Sequence, residues 1–286
     1  MTPRELILGG VRVRCLEDGR FTIPRGAMYV RPPTEAGTRN QGPPPASGPD
    51  RFVLAMNIFL VESPDARIVI DTGIGTKASP AASELGDLAR GPGLEALLGG
   101  FGIGPGDIDI VVNTHLHFDH CGGDTASSPD GRLRPAFPNA VYVIQKGEWE
   151  TALHPPARDE ASYVAADFEP LAASGRLRLV EGEAVIAAGV EVVLTPGHTA
   201  HHQSVIVRSG GAAMLFAGDL IPTAAHAGFS FVMSYDLDPR LSLKTKRAIY
   251  GRSVQEGWIV ALAHETDRPF GTIDRDGVGF AFRPLA

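Results

Sequence analysis

The sequence predicts an α+β fold built in layers, with a polar site assembled at the ends of buried strands. Three observations lead there. Short apolar, β-branched runs at residues 108–112, 190–194, 212–216 and 258–262 are bounded by Gly, Pro or Asn, the pattern of buried strands. Each run is soon followed by side chains able to bind a metal: first His115-Leu116-His117-Phe118-Asp119-His120, then His198, Asp219 and His264. Segments of helical character, at 146–153 and 243–255, alternate with the runs. Sites in layered proteins are commonly built from strand ends and the loops after them.

Taken in order, residues 11–22 read as a strand pair with a turn at Glu17-Asp18-Gly19. Residues 31–50 carry Pro32, Pro33, Gly37, Gly42, Pro43, Pro44, Pro45, Gly48 and Pro49, too many breakers for a helix or central strand. That segment is a long loop, equally a lid or interface element or a surface insertion. Residues 52–61 and 67–71 read as paired strands, and 85–98 as a helix broken at Gly91-Pro92-Gly93. The stretch 122–134 is rich in turns, 141–144 is a strand, and 146–153 is a helix ended by His154 and Pro155-Pro156, with His154 at the surface. In the helix at 243–255, Ala248, Ile249 and Val254 lie on the buried side, with Lys244, Lys246, Arg247 and Arg252 solvated. Gly73-Ile74-Gly75 lacks the rest of a dinucleotide fingerprint.

The cluster at 115–120 sets the chemistry. Three histidines and a carboxylate within six residues cannot all face a core unpaired. A metal ion satisfies that many imidazoles and carboxylates at once, and His198, Asp219 and His264 make a chance His-rich loop a poor explanation. Neutral imidazole and carboxylate ligands suit zinc first, with iron, manganese or cobalt also accepted. Cys121, next to His120, reads as a small buried residue of the turn.

The order of these pieces resembles the metallo-β-lactamase superfamily. They are Ile68-Val69-Ile70-Asp71-Thr72-Gly73, the H-x-H-x-D-H cluster, Pro196-Gly197-His198-Thr199, Gly218-Asp219 and Ala263-His264, and the resemblance spans about 52–266. It implies a four-layer αββα sandwich of two mixed sheets flanked by helices, holding two divalent metal ions. His115, His117 and His198 then correspond to ligands of one ion, Asp119, His120 and His264 to ligands of the other, and Asp219 to the carboxylate bridging both. His202 and Asp71 correspond to hydrogen-bonding supports rather than ligands.

Within that superfamily, Asp219 argues against antibiotic hydrolysis, and His117 argues against the di-iron flavoproteins, which place Glu there. The stretch after Asp219 and the residues at 11–28 are similar to the branch holding N-acyl-homoserine lactonases and organophosphate hydrolases. The implied reaction is attack of a metal-bridging hydroxide on a lactone or ester carbonyl, with Asp119 and Asp219 as the catalytic carboxylates and quorum quenching as the role. Many such lactonases carry a carbonyl-polarising Tyr three residues after the bridging Asp, where this chain has Pro222; Tyr235 or His226 are the substitutes. Ile221, Pro222, His226 and Tyr235 are thus the expected pocket residues. The alternatives are a phosphotriesterase or arylesterase of the same fold, a mononuclear iron enzyme that oxidises sulfur, and a non-catalytic relic; the presence of all seven ligand positions opposes the last.

Composition bounds the remainder. The chain has 286 residues, 43% hydrophobic and 21% charged, enough for one core, so 1–286 is read as a single soluble domain. A net charge of −7 is a poor field for a nucleic acid. Cys15 and Cys121 stand in separate elements, so no disulfide framework is indicated. The N-terminal segment lacks a signal-type apolar stretch, and no run approaches the ~20 apolar residues that span a bilayer. The expected setting is cytoplasmic, with a small ester or lactone as partner, no nucleic acid, no membrane, and a homodimer left open.

Overall fold

The computed structural model describes residues 4–28, 51–79, 81–229, 231–277 and 279–286. The Pro-rich segment expected at 31–50 lies outside the described residues. One sheet begins with β1 (Glu5–Leu8), β2 (Val11–Pro24), β3 (Arg51–Glu62), β4 (Arg67–Ile70), β5 (Gly86–Arg90) and β6 (Ile110–Val112). After a ribbon of β7 (Thr125–Ser127) and β8 (Leu133–Pro135), β9 (Val141–Gln145) and β10 (Leu177–Val180) complete it. Its order is β1-β2-β3-β4-β6-β9-β10, with β5 on β2. The other sheet runs in chain order through β11 (Ala184–Ala187), β12 (Val190–Leu194), β13 (Gln203–Ser209), β14 (Ala212–Phe216), β15 (Ile259–Ala261), β16 (Phe270–Asp276) and β17 (Gly279–Pro284). Both sheets are mixed: β4, β6, β9 and β10 pair in parallel, as do β14 and β15, and the other pairs are antiparallel.

Period-two alternation explains why the sheets stack. Phe59 and Val61 of β3 share a core with Val190 and Val192 of β12, Val205 and Val207 of β13, and Met214 and Phe216 of β14. Their neighbours point the other way. Ile58 and Leu60 pack with Leu94, Leu98, Trp149 and Phe168 on one outer face. Val193, Ile206 and Leu215 pack with Ile249 and Tyr250 on the other. The helices α2 (Leu94–Gly99), α3 (Phe118–Cys121), α4 (Lys146–Leu153), α5 (Ala165–Phe168) and α6 (Pro239–Glu256) supply those outer layers in part, while α1 (Arg25–Met28) packs Met28 with Phe21, Ile23 and Leu54. The helix–sheet–sheet–helix order is the one the resemblance implied. Helix α6 starts sharply because Asp238 accepts from the Arg240 and Leu241 amides and Pro239 needs no partner; it stops at Gly257, φ 66°. Among the described residues no helix is long and apolar enough to cross a membrane.

Three expectations need correction. The segment at 11–22 is one long strand, not a hairpin: the register on β3 slips between Glu17 and Arg20, and the buried Asp18 carboxylate turns inward toward the backbone of Ile74, Gly75 and Gly93. Residues 86–90, expected as helix, form β5, because the bulge leaves an edge of β2 to pair with. On helix α6 two residues trade places: Ala248, expected on the buried side, is exposed, and Lys246, expected in solvent, is 1% exposed and donates to the His226 and Phe231 carbonyls at 3.0 and 2.7 Å.

Candidate metal centre

The expected ligands leave the two sheets at one end. After β6 the chain stays extended, so His115 and His117 project to one side while Leu116 enters the outer core. The single turn of α3 then presents Asp119 and His120. His198 follows β12, Asp219 follows β14, and His264 follows β15. Two glycines permit the approach. At Gly197, φ 141°, a Cβ would lie 2.5 Å from the Ser242 backbone nitrogen. At Gly218, φ 53°, a Cβ would lie 2.6 Å from His202 Nε2.

The donor atoms converge in three groups: His115, His117 and His198; Asp119, His120 and His264; and His115, His120 and Asp219, which joins the first two. Within each group the atoms lie within 4.8 Å of one another. His198 Nε2 and His117 Nδ1 face each other at 3.1 Å, as do His120 Nε2 and His264 Nε2 at 3.2 Å. Asp219 sits between them, with Oδ2 3.4 Å from His198 Nε2 and Oδ1 3.1 Å from His264 Nε2.

The opposite nitrogen of each ring is anchored, which fixes its orientation. His117 Nε2 lies 3.0 Å from Asp159 Oδ2, His198 Nδ1 3.2 Å from Asp236 Oδ1, and His120 Nδ1 2.9 Å from Asp71 Oδ2. His264 Nδ1 lies 2.8 Å from the Ala55 carbonyl, and His115 Nδ1 3.1 Å from Thr114 Oγ1. Asp71, at φ 56°, also accepts from the Thr114 amide and hydroxyl, as expected of a support at a strand end. His202 is a support as well: its Nε2 accepts from the Asp219 amide at 3.0 Å, and its Nδ1 lies 2.8 Å from Thr195 Oγ1. Cys121 is buried.

The electrostatics suit cations. Burial opposes ionisation of Asp219, yet His264, His120 and His198 hold its carboxyl well below the usual range. Burial likewise works against protonating His198, but Asp219 and Asp236 push it up to about 9. His120 is raised in the same way by Asp219, Asp119 and Asp71. His115 goes the other way, held low by burial and by the surrounding imidazoles. Two polar atoms of the cluster, His115 Nε2 and Asp219 Oδ1, are buried without a hydrogen-bond partner. An orphaned imidazole nitrogen and an orphaned carboxylate oxygen, set among facing imidazoles, fit a pair of divalent ions.

A cleft of about 210 Å³ opens on this cluster. His117, Asp119, His198, Asp219 and His264 form its floor; Phe21, Ile23, Met28, Leu54, Leu85 and Met233 are apolar lining; Ser162 and Tyr235 add hydroxyls. Tyr235 thus stands where the sequence suggested, but Ile221, Pro222 and His226 do not line the cleft. Ile221 is buried in the outer core beside α6, and the Pro222 carbonyl accepts from the His264 amide. His226 is buried, bonded to the Met28 carbonyl at 2.7 Å and Thr223 Oγ1 at 2.8 Å, and burial drives its pKa down to about 3.

Sequence reasoning missed Asp159, Asp236 and Glu148. Glu148, on α4, accepts from the Leu116 amide at 3.1 Å, Tyr163 Oη at 3.0 Å and Thr199 Oγ1 at 2.7 Å, tying together the loops that carry His115, His117 and His198. Tyr163 packs edge-on to His117, ring centroids 4.9 Å apart. Asp236 stood in the Met233-Ser234-Tyr235-Asp236 stretch already noted, but a lone acid there carries no ligand signal. Asp159 follows a Pro-Pro turn with no sign of its partner.

Comparison with known proteins agrees with this geometry. A sequence model of the metallo-β-lactamase superfamily matches residues 51–264. An N-acyl homoserine lactonase of Bacillus thuringiensis is 25% identical over 223 residues, covering 73% of this chain and 81% of that protein. A probable metal-dependent hydrolase from Staphylococcus aureus superposes with a TM-score of 0.84 at 23% identity, covering 98% of this chain and 99% of that one. AidC, a dizinc quorum-quenching lactonase in complex with a product, N-hexanoyl-L-homoserine, superposes with a TM-score of 0.76 at 19% identity, covering 99% and 97%.

Proposed function

The chain belongs to the metallo-β-lactamase superfamily, and from that premise we propose that it is a two-metal hydrolase of neutral lactones or carboxylic esters with an apolar tail. The observation that carries the reading is the cleft. Its floor is the ligand cluster, and its described walls hold no Lys or Arg. Beyond the ions themselves, an anionic phosphodiester would find no cationic side chain on these walls, whereas a neutral ester with an apolar tail meets apolar walls over a polar floor. The lactonase relatives support the same substrate class, and hydrolysis of an acyl-homoserine lactone would make the role quorum quenching.

In this reading His115, His117 and His198 would hold one ion, Asp119, His120 and His264 would hold the other, and Asp219 would serve both. The bound ions, zinc first among candidates, supply Lewis acidity and make water acidic enough to be a nucleophile near neutral pH. The protein holds and orients everything else. Asp71, Asp159, Asp236 and the Ala55 carbonyl fix the imidazole rings, so that ligand geometry is set before substrate arrives. Asp119, whose side chain is 15% exposed, is the most open of the ligand carboxylates and is placed to pass a proton to the leaving alkoxide. Tyr235 offers a hydroxyl from the wall where Pro222 offers none. A neutral phosphotriester satisfies the same walls and is the second reading.

The test is a hydrolysis screen of zinc-loaded protein against acyl-homoserine lactones, γ- and δ-lactones, aryl esters, a phosphotriester, a phosphodiester and a cephalosporin. Lactones or aryl esters should give the highest kcat/KM. A phosphodiester or cephalosporin preferred by tenfold, about 1.4 kcal/mol in transition-state binding, would overturn the ester reading.

A further inference from the structure

Two short segments line the cleft and also reach behind the ligands. Residues 159–163 contribute Ala161 and Ser162 to the lining, and residues 233–236 contribute Met233 and Tyr235. The first segment also carries Asp159, which anchors His117, and the second carries Asp236, which anchors His198. Both anchored rings belong to the same ligand group. Neither segment lies in a sheet: the first is a single 3₁₀ turn, Glu160–Ser162, and the second is a run of turns. One exposed side chain joins them. Arg158 Nη2 donates to the Ser234 carbonyl at 2.8 Å and to the Asp236 carbonyl at 3.4 Å. The other ligand group is anchored differently, by Asp71 just after β4 and by the Ala55 carbonyl within β3, both out of reach of this link.

We propose that Arg158 is a positioning residue that sets the width of the cleft and, through Asp159 and Asp236, the grip of the His115–His117–His198 group on its ion. A guanidinium bonded to two carbonyls of the opposite segment resists separation of the walls, which no strand pairing does here. A parted wall carries its carboxylate away from an imidazole, so cleft width and ligand orientation change together. The width part rests on the ester reading above; the grip part rests only on the ligand assignment.

Arg158 is solvent-exposed, so metal-free Arg158→Met should fold with an unchanged thermal midpoint, and Arg158→Lys should restore part of the link. Zinc affinity is read by competition with a chromogenic chelator on the full-length protein. In Arg158→Met one of two zinc ions should bind about tenfold more weakly, the size typical of losing a ligand's outer support, with the other unchanged within about twofold. The ratio of kcat/KM for 4-nitrophenyl pivalate over 4-nitrophenyl acetate should rise at least about fivefold, mainly through KM, and Arg158→Lys should fall between. Unchanged zinc affinities, equal weakening of both ions, or an unchanged ester ratio in an active enzyme each overturn the proposal. If the wild-type protein cleaves neither these esters nor any lactone of the screen above, the ester reading has failed, and the zinc comparison still decides whether Arg158 acts on the ligand group.

Discussion

Replacing Glu148 by Ala should separate a hydrogen-bonded clamp from simple packing. Its carboxyl group is buried and takes three donors: the Leu116 amide, Tyr163 Oη and Thr199 Oγ1. The two hydroxyls can rotate toward other acceptors, but the Leu116 amide is fixed by the chain and would be left orphaned. An orphaned buried donor costs about 1–3 kcal/mol and each lost ordinary hydrogen bond about 0.5–1.5 kcal/mol, so partial recovery leaves a net loss of about 2–4 kcal/mol. Glu148→Gln is the informative control. Its amide oxygen can keep the bonds from Leu116 and Tyr163, and its NH₂ can donate to Thr199 Oγ1, so it should cost under about 1 kcal/mol. Urea unfolding of the metal-free protein with chelator present measures both without a contribution from ion binding. A Gln variant as damaged as the Ala variant, or an Ala variant within about 0.5 kcal/mol of wild type, would refute the clamp.

Asp219→Ala should lose at least one of two ions and slow hydrolysis by on the order of 10²-fold or more, whereas His202→Ala, which removes the acceptor for the Asp219 amide and the partner of Thr195 Oγ1 but no expected ligand, should cost roughly 10–100-fold in metal affinity or activity; elemental analysis with kinetics checks both, and small equal effects would show that the ligands are misassigned. Burial lowers the Lys246 ammonium from its ordinary 10.5 to about 8. The unfolded chain therefore binds the extra proton between those values, so the burden on folding is full below about pH 8 and disappears as pH rises past 10.5. Between pH 7 and 11 the wild type should gain roughly 3 kcal/mol on Lys246→Met; pH-dependent unfolding curves showing parallel behaviour of the two would contradict this.

What was legible followed from local chemistry. His115, His117, Asp119 and His120 announced themselves by crowding, and His198, Asp219 and His264 by their places after apolar runs. Lys146–Leu153 and the strand before it were readable because periodicity changed at Gln145. Other features depended on contacts distant in sequence. Asp-Gly at 18–19 signals a hairpin locally, but the Asp18 side chain is buried and turned toward the distant backbone of Ile74, Gly75 and Gly93. Lys246 looks solvated on its helix, yet two carbonyls from residues 226 and 231 replace water around it. Asp159 and Asp236 look like ordinary polar residues until the imidazoles they hold are brought to them. Pro222 and His226 are near Asp219 along the chain, but both are buried away from the cleft lining, because the chain turns into the outer core after Asp219.

The two candidate ion sites share an arithmetic with consequences for how the molecule assembles. His115 and His117 come from the end of one sheet and His198 from the other; Asp119 and His120 come from the first sheet and His264 from the second. Neither sheet alone owns a complete set of three ligands. An ion in either place is therefore a rivet through the seam of the sandwich, able to seat only after the two halves have met. The seam is held over most of its area by Val, Ile and Phe side chains that tolerate small slips, but a rivet does not. A chain that has collapsed with its halves out of register would bind metal poorly, and a free-ion concentration 100-fold above Kd would favour the aligned state by about 2.7 kcal/mol. Metal uptake would then serve the newly made protein as a final inspection of its own alignment.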